Sequence, residues 1–388
     1  MASKLISNYL PEIIALGLFR SRPAMVTVNL TKRCNQHCIY CEIGGALSST
    51  AKDTLTADDL FWIIDQMAIN KIRKISLCGG EPFLFAGIFD VVAYARKKKI
   101  RISITTNGMT IHRLSAGELT ILKESKTGIN ISIDSFLDNV QSFTRGNPSA
   151  LSDSLKSLHT LSESGIPITL LTVISKYNYH GLFAFTKTAF EKGIRQVLFQ
   201  PVIYYSNYPD KPPLEGKSQL NVSVDKLDVL MDELRKILQF EKNHDIKTNV
   251  YRIYPWIGFY LQTAAAQNGT WFFNAVLNKF FCRELHAIID ISYDGGIQPC
   301  GLTKASISII NNRQAGLMTL WSEATREIKN ELHHDRFYGA CNGCCHHFSR
   351  NMLASMMKYP VKNRKALMTM IPLIFSRVHS GIRKKLYF

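Results

Sequence analysis

Short apolar, β-branched runs recur between residues 25 and 205 and alternate with stretches whose apolar positions fall at helical spacing. The runs at 25–30, 74–77, 102–105, 129–133, 168–174 and 196–200 predict strands. Between the first two, residues 57–67 predict an amphipathic helix, with Leu60, Phe61, Ile64 and Met67 on one face behind a Thr56 cap. This alternation is the signature of a parallel α/β architecture. Six β/α units fit a partial barrel and an open doubly wound sheet equally well, and periodicity alone does not choose between them.

Past residue 203 the pattern changes. Residues 204–216, rich in Tyr, Asn and Pro, read as a linker or an active-site loop. A helix is predicted over 224–240, then a cysteine-bearing region over 282–345 with a hairpin turning at Asp294-Gly295-Gly296. The expected layout is an N-terminal helical segment (1–24), an α/β core (25–210), linker helices with a cysteine-bearing α/β domain (211–348) and a tail (349–388).

With 388 residues, 46% hydrophobic and 20% charged, the chain buries a full-sized core, and disorder is excluded. The net charge is +17, and nine of those charges come from Lys and Arg at 350–388, where no Asp or Glu occurs, leaving +8 for the rest. The tail mixes them with apolar residues such as Met352, Met356, Leu367 and Phe375. Such a segment suits an anionic membrane surface, or a helix packed on the body with a solvated basic face. Nucleic acid is disfavoured, because aromatics are not interleaved with the charges. No secretory signal and no apolar run of 18 residues is found, so the nine cysteines are read as thiolates in a reducing cytoplasm.

Cys34, Cys38 and Cys41 form a CxxxCxxC loop directly after the first predicted strand, where parallel α/β proteins place their sites. Three thiolates leave one corner of a four-iron cluster open to a chelating ligand. A zinc site with His37 as fourth ligand is the alternative. Gly79-Gly80-Glu81-Pro82 follows the second strand; two glycines permit close backbone approach to the ligand and a carboxylate answers an ammonium. Thr105-Thr106-Asn107-Gly108 ends the third strand, Ser132-Ile133-Asp134 ends the fourth, and Arg145-Gly146 follows.

This order of motifs resembles the radical S-adenosylmethionine (radical SAM) superfamily. The resemblance implies a partial (β/α)6 TIM-like barrel and a 4Fe-4S cluster that binds S-adenosylmethionine (SAM). It implies reductive cleavage to a 5′-deoxyadenosyl radical that abstracts a substrate hydrogen atom, with an external one-electron donor of flavodoxin or ferredoxin type. By the same resemblance Gly79, Gly80 and Glu81 contact the methionine amine and Tyr40 lies by the adenine. Ser132 and Asn107 serve the ribose, and Arg145 serves the methionine carboxylate.

A second set, Cys282, Gly295, Cys300, Cys341 and Cys344, has the spacing C-x12-G-x4-C, a gap, then C-x2-C. Four thiolates from separate segments close a tetrahedral or cubane site. The pattern resembles the twitch module, the shortened form of the SPASM domain, and so implies one auxiliary 4Fe-4S cluster. Cys345 is the alternative to Cys344. With no open iron, this cluster is expected to accept an electron, making the net reaction an oxidation. Cys78 is read as a small strand-end residue or as a hydrogen-atom donor.

The expected function is a radical SAM oxidoreductase, cytoplasmic or peripheral at the inner membrane surface, acting on a sugar, cyclitol or lipid-linked molecule. A peptide-modifying maturase or epimerase and a non-catalytic Fe-S or zinc protein are the alternatives. The catalytic acid or base is not legible; Tyr204, Tyr205 and Glu42 are placed only by position.

Overall fold

The structure, a computed structural model, describes residues 23–41, 53–203, 217–254, 256–265, 278–301, 303, 305–334, 341 and 348–364. Among these residues the frame is one ten-stranded sheet. Strands β1 (Met25–Asn29), β2 (Lys74–Cys78), β3 (Arg101–Thr106), β4 (Gly128–Ser132), β5 (Ile168–Ile174) and β6 (Gln196–Pro201) lie side by side in chain order, all parallel. Helices α1 (Ala57–Ile69), α2 (Ile88–Lys97) and α3 (Ala116–Glu124) follow the first three strands. The pair α4 (Asp138–Arg145) and α5 (Ala150–Ser164) follows β4, and α6 (Leu182–Glu191) follows β5. This is the partial (β/α)6 barrel, and each predicted strand agrees with the observed one to within a residue at either end.

Alternation within the strands sorts side chains between two faces. Val26, Val28, Ile75, Leu77, Ile102, Ile104, Ile129 and Ile131 are buried and join one hydrophobic core with Leu60, Ile63 and Ile64 of α1 and Val91 and Val92 of α2. Each such side chain contributes about 1.5–3 kcal/mol by leaving water. The intervening residues are small and polar: Thr27, Asn29, Ser76, Cys78, Ser103, Thr105, Asn130 and Ser132, all half-buried. Closed β/α barrels fill that inner face with branched apolar residues. Here it is a polar wall.

The N-terminus of α1 carries a full capping box. Thr56 accepts the Asp59 N–H, and Asp59 accepts the Thr56 N–H at 2.7 Å. The helix predicted over 224–240 begins as a 3-10 turn (Val224–Lys226) and continues as α7 (Leu227–Asn243). After it, β7 (Lys247–Thr248) pairs with β6, and helix α8 (Ile257–Ala265) follows.

The sheet also grows at its other edge. Strand β8 (Ile288–Ile291) pairs in parallel with β1, Thr27 opposite Asp290, while β9 (Gly296–Gln298) and β10 (Ile307–Ser308) run antiparallel beyond it. The hairpin turns through Tyr293, Asp294 and Gly295, one residue earlier than the predicted Asp294-Gly295-Gly296, because Gly296 already opens β9. Helix α9 (Leu317–His333) returns over α1, where Leu317 N–H bonds Gln66 at 3.2 Å and Arg313 pairs with Asp59.

Helix α10 (Phe348–Lys358) opens the basic tail and packs against the segment before β8. Ser355 accepts the Phe281 N–H at 2.8 Å, Asn351 accepts the Arg283 N–H at 3.0 Å, and Asn363 accepts the Lys279 N–H at 3.0 Å. Those residues run outside helix and strand, so their backbone groups need side-chain partners. The first part of the tail thus docks on the body. Residues 365–388 lie outside the described residues, and among those described no helix is long and apolar enough to cross a membrane.

Candidate functional site

Three cysteines emerge at the C-terminal end of β1. Cys34 is buried, and Cys38 and Cys41 are half-buried. The thiols influence one another electrostatically, and burial pushes Cys34 up to about 12, with Glu81, Cys38 and Cys41 adding to it and a backbone bond at Gln36 opposing it. Burial also raises Cys38, against the lowering influence of Arg145. Dry thiols crowded together gain from a positively charged group that takes the thiolate form.

The loop bearing them is held from two sides. On one, Gly80 N–H bonds Thr31 O at 2.8 Å and Glu81 N–H bonds Arg33 O at 2.7 Å. A Cβ on Gly80 would lie 2.1 Å from Arg33 O, so only glycine lets the two loops meet. On the other side, the end of α4 accepts His37 N–H at Arg145 O (3.1 Å) and Ile39 N–H at Thr144 O (3.0 Å). Gly146 is left-handed, with φ +60°, and a Cβ there would lie 2.3 Å from His37 O. Both glycine positions therefore serve packing against the cysteine loop itself. Asp53, bonded to Thr31 and Arg33, fastens the loop's start.

Glu81 is fully buried. Its carboxylate accepts Thr106 Oγ1 at 2.7 Å, Asn107 N–H at 2.8 Å and Phe83 N–H at 3.2 Å. Burial nevertheless lifts it to about 7, these three bonds opposing the shift. Asn107 donates to Asn35 Oδ1 at 2.6 Å and lies 3.9 Å from Cys34 Sγ, so the β3 end also touches the loop. Gly79, Gly80, Glu81, Asn107, Ser132 and Arg145 stand at strand or helix ends on the same side of the sheet as the cysteines.

Asp134 is a site residue whose role the sequence leaves unassigned. It is buried, and its carboxylate accepts Arg145 Nη2 at 2.7 Å, Val173 N–H at 2.9 Å, Thr144 Oγ1 at 3.2 Å and the Tyr40 hydroxyl. Arg145 Nη1 in turn lies 3.9 Å from Cys38 Sγ. Gln36, also buried, receives the Cys38 thiol on Oε1 at 3.6 Å, and its Nε2 has no partner among the described residues.

These residues fit an open-cornered 4Fe-4S cluster. His37 is exposed, and among the described residues no three of His, Cys, Asp and Glu gather as a single metal ion requires. A cluster is larger than one ion and suits thiols spread along a loop.

The second set also converges in part. Cys282 is raised by burial first, then by Cys300, Cys341 and Glu284. Asn351 of α10 donates to Cys282 Sγ at 3.7 Å, a contact with no local sequence signal. Cys344, Cys345, Glu42, Tyr204 and Tyr205 lie outside the described residues. Cys78 faces the barrel interior, donating to Asn29 Oδ1 at 3.2 Å; burial and Asp290 push it up to about 12.

Residues 28–189 match the model of the Radical SAM superfamily. The Fe-coproporphyrin III synthase of Methanosarcina barkeri is 29% identical over 231 residues, 60% of this chain and 56% of that one. The antilisterial bacteriocin subtilosin biosynthesis protein AlbA of Bacillus subtilis is 27% identical over 156 residues, 40% and 34% of the two chains. The chain thus spans roughly a third to a little over half of these relatives. The crystal structure of Streptococcus suis SuiB bound to precursor peptide SuiA aligns over 91% of this chain and 78% of that one, with TM-score 0.60 and 16% identity. The chain carries a radical SAM domain on the partial barrel of that superfamily, and this domain implies a 4Fe-4S cluster and SAM.

Proposed function

We propose that this chain is a radical SAM oxidoreductase. Cys34, Cys38 and Cys41 hold the SAM-binding cluster, and Cys282, Cys300, Cys341 and Cys344 hold an auxiliary cluster of twitch or SPASM type. The observation that carries this reading is the clamped triad, with three mutually influencing thiols on a loop fastened to β2, β3 and α4. When bound, the groups at the first site would supply reductive cleavage of the sulfonium and hydrogen-atom abstraction from substrate, and the group at the second site would supply an electron acceptor, with an external donor as the source of the first electron.

The chain's own residues bind and orient. The loop of Gly79, Gly80 and Glu81 presents backbone and a buried carboxylate to the amine of SAM. Arg145, whose Nε has no partner among the described residues, offers a donor to its carboxylate. Tyr40, Asn107 and Ser132 flank the nucleoside. The polar inner face, from Thr27 and Asn29 through Ser76 and Cys78 to Thr105 and Asn130, suits a hydroxyl-rich substrate such as a sugar, a cyclitol or the head of a lipid-linked molecule. Residues 365–388, with five Lys or Arg, suit contact with an anionic membrane surface.

A peptide-modifying role is the second reading. It is favoured by the likeness to AlbA, named for bacteriocin biosynthesis, and by the fold shared with peptide-bound SuiB.

Anaerobic reconstitution tests the assignment. About eight irons per chain and 5′-deoxyadenosine formation with SAM and dithionite are expected. A folded, metal-loaded chain that leaves SAM intact would be a non-catalytic Fe-S or zinc protein. A folded Cys341→Ala chain that oxidises substrate at the normal rate would remove the electron-accepting role.

A further inference from the structure

The end of α4 does more than hold the cysteine loop in place. It brings a guanidinium to one thiol and secures that guanidinium with a carboxylate from a different element. Arg145 and Asp134 are both buried, with side chains 7% and 1% exposed, and pair at 2.7 Å. Asp134 is saturated by four donors from three segments: the cysteine loop (Tyr40), α4 (Thr144 and Arg145) and β5 (Val173) meet at the end of β4. Of the two Arg145 terminal nitrogens, Nη2 is committed to Asp134 and Nη1 is turned toward Cys38 Sγ at 3.9 Å. The guanidinium also lies over the Tyr40 ring, 5.4 Å from its centroid. Backbone bonds from His37 and Ile39 to α4 fix the residues on either side of Cys38, so the distance between charge and sulfur is set by the fold.

We propose that Arg145 and Asp134 form a charge pair that tunes the reduction potential of the cluster held at Cys38, with Arg145 acting on the sulfur and Asp134, fixed beside it, opposing it as the neighbouring anion. The inference rests on the cluster assignment above. A positive charge and an N–H donor beside a ligating sulfur stabilise the electron-rich, reduced cluster, and a nearby anion opposes this. In a dry environment both effects are large, because little solvent screens them. A buried ion pair is costly unless the remaining lone pairs of its carboxylate are satisfied, and the three further donors to Asp134 do this.

The two charges act in opposite directions, and this separates tuning from damage. The full-length protein is reconstituted anaerobically, and the EPR signal that changes when SAM is added is followed in a redox titration without SAM. Arg145→Gln is expected to lower the midpoint potential and Asp134→Asn to raise it. The double variant is expected to lie between the two single variants and near the wild type. Arg145→Lys keeps the charge but loses the forked reach, so a smaller fall is expected than for Arg145→Gln; it decides the matter if Asp134→Asn fails to fold or to take up iron. Shifts of the same sign in both single variants, or an unchanged potential in Arg145→Gln and Arg145→Lys with full iron content, overturn the proposal. A wild-type chain that binds no iron overturns the cluster assignment and the tuning together.

Discussion

Gly80 and Arg33 meet backbone to backbone, so closely that a single added carbon on Gly80 would lie 2.1 Å from the Arg33 carbonyl oxygen. The neighbour is main chain and has no rotamer to yield. Gly80→Ala therefore forces the two loops apart and breaks the bonds Gly80 N–H to Thr31 O and Glu81 N–H to Arg33 O. The expected cost is about 1–3 kcal/mol, together with a loss of iron at the first site. Thermal unfolding and iron content after reconstitution check this, and an alanine variant with normal values of both would contradict the tight approach.

Glu81 makes the same loop sensitive to pH. Burial holds its carboxyl near 7, against an ordinary 4.5, so between those values the folded chain binds a proton that the unfolded chain has released. Stability of the metal-free protein must then fall as pH rises through that window, by about 3 kcal/mol in total. Denaturant midpoints from pH 5 to pH 8 should show a decline that is shallower in Glu81→Gln, whose amide does not titrate. Parallel pH profiles for the two proteins would remove Glu81 as the source.

Thr56 stands where the helical spacing of apolar residues begins, and its hydroxyl caps α1 by accepting the Asp59 N–H. Thr56→Ala should cost about 1 kcal/mol. Asp59 returns the bond and also pairs with Arg313, 254 residues away, so Asp59→Asn should cost more. A double-mutant cycle on thermal unfolding should reveal coupling between Thr56 and Asp59 and additivity between Thr56 and distant surface sites.

Thr56 and Asp59 also mark where sequence reasoning stops. The capping box, the six strands and the CxxxCxxC loop are local features, carried by residues within a few positions of one another. Asp134 meets Tyr40 across 94 residues and Val173 across 39, and no periodicity announces either contact. The pairing of β8 with β1 is likewise invisible, since alternation identifies a strand without naming its neighbour. The sequence reads the glycines of the Gly79-Gly80 motif as an approach to a ligand. That the neighbour of Gly80 is Arg33 is a fact of the fold.

The docked start of the tail changes how its removal should be read. Asn351 bonds the backbone of Arg283 and the sulfur of Cys282, and Ser355 and Asn363 hold Phe281 and Lys279. A chain ending at residue 350 loses all of these, so a fall in membrane binding there would be confounded with damage around the second cysteine site. A chain ending at residue 364 keeps them. The shorter chain is expected to lose about half of its iron, falling from about eight to about four per chain, while the longer one keeps the full complement. Asn351→Ala should reproduce the shorter chain's deficit in part while leaving SAM cleavage intact, because Cys34, Cys38 and Cys41 belong to the loop held by β2, β3 and α4. Equal iron in the two truncated chains would mean that α10 is dispensable to the Cys282 site. If instead only the chain ending at 350 is deficient, liposome co-sedimentation of the chain ending at 364 against the full chain becomes the clean measurement of what residues 365–388 contribute at a membrane.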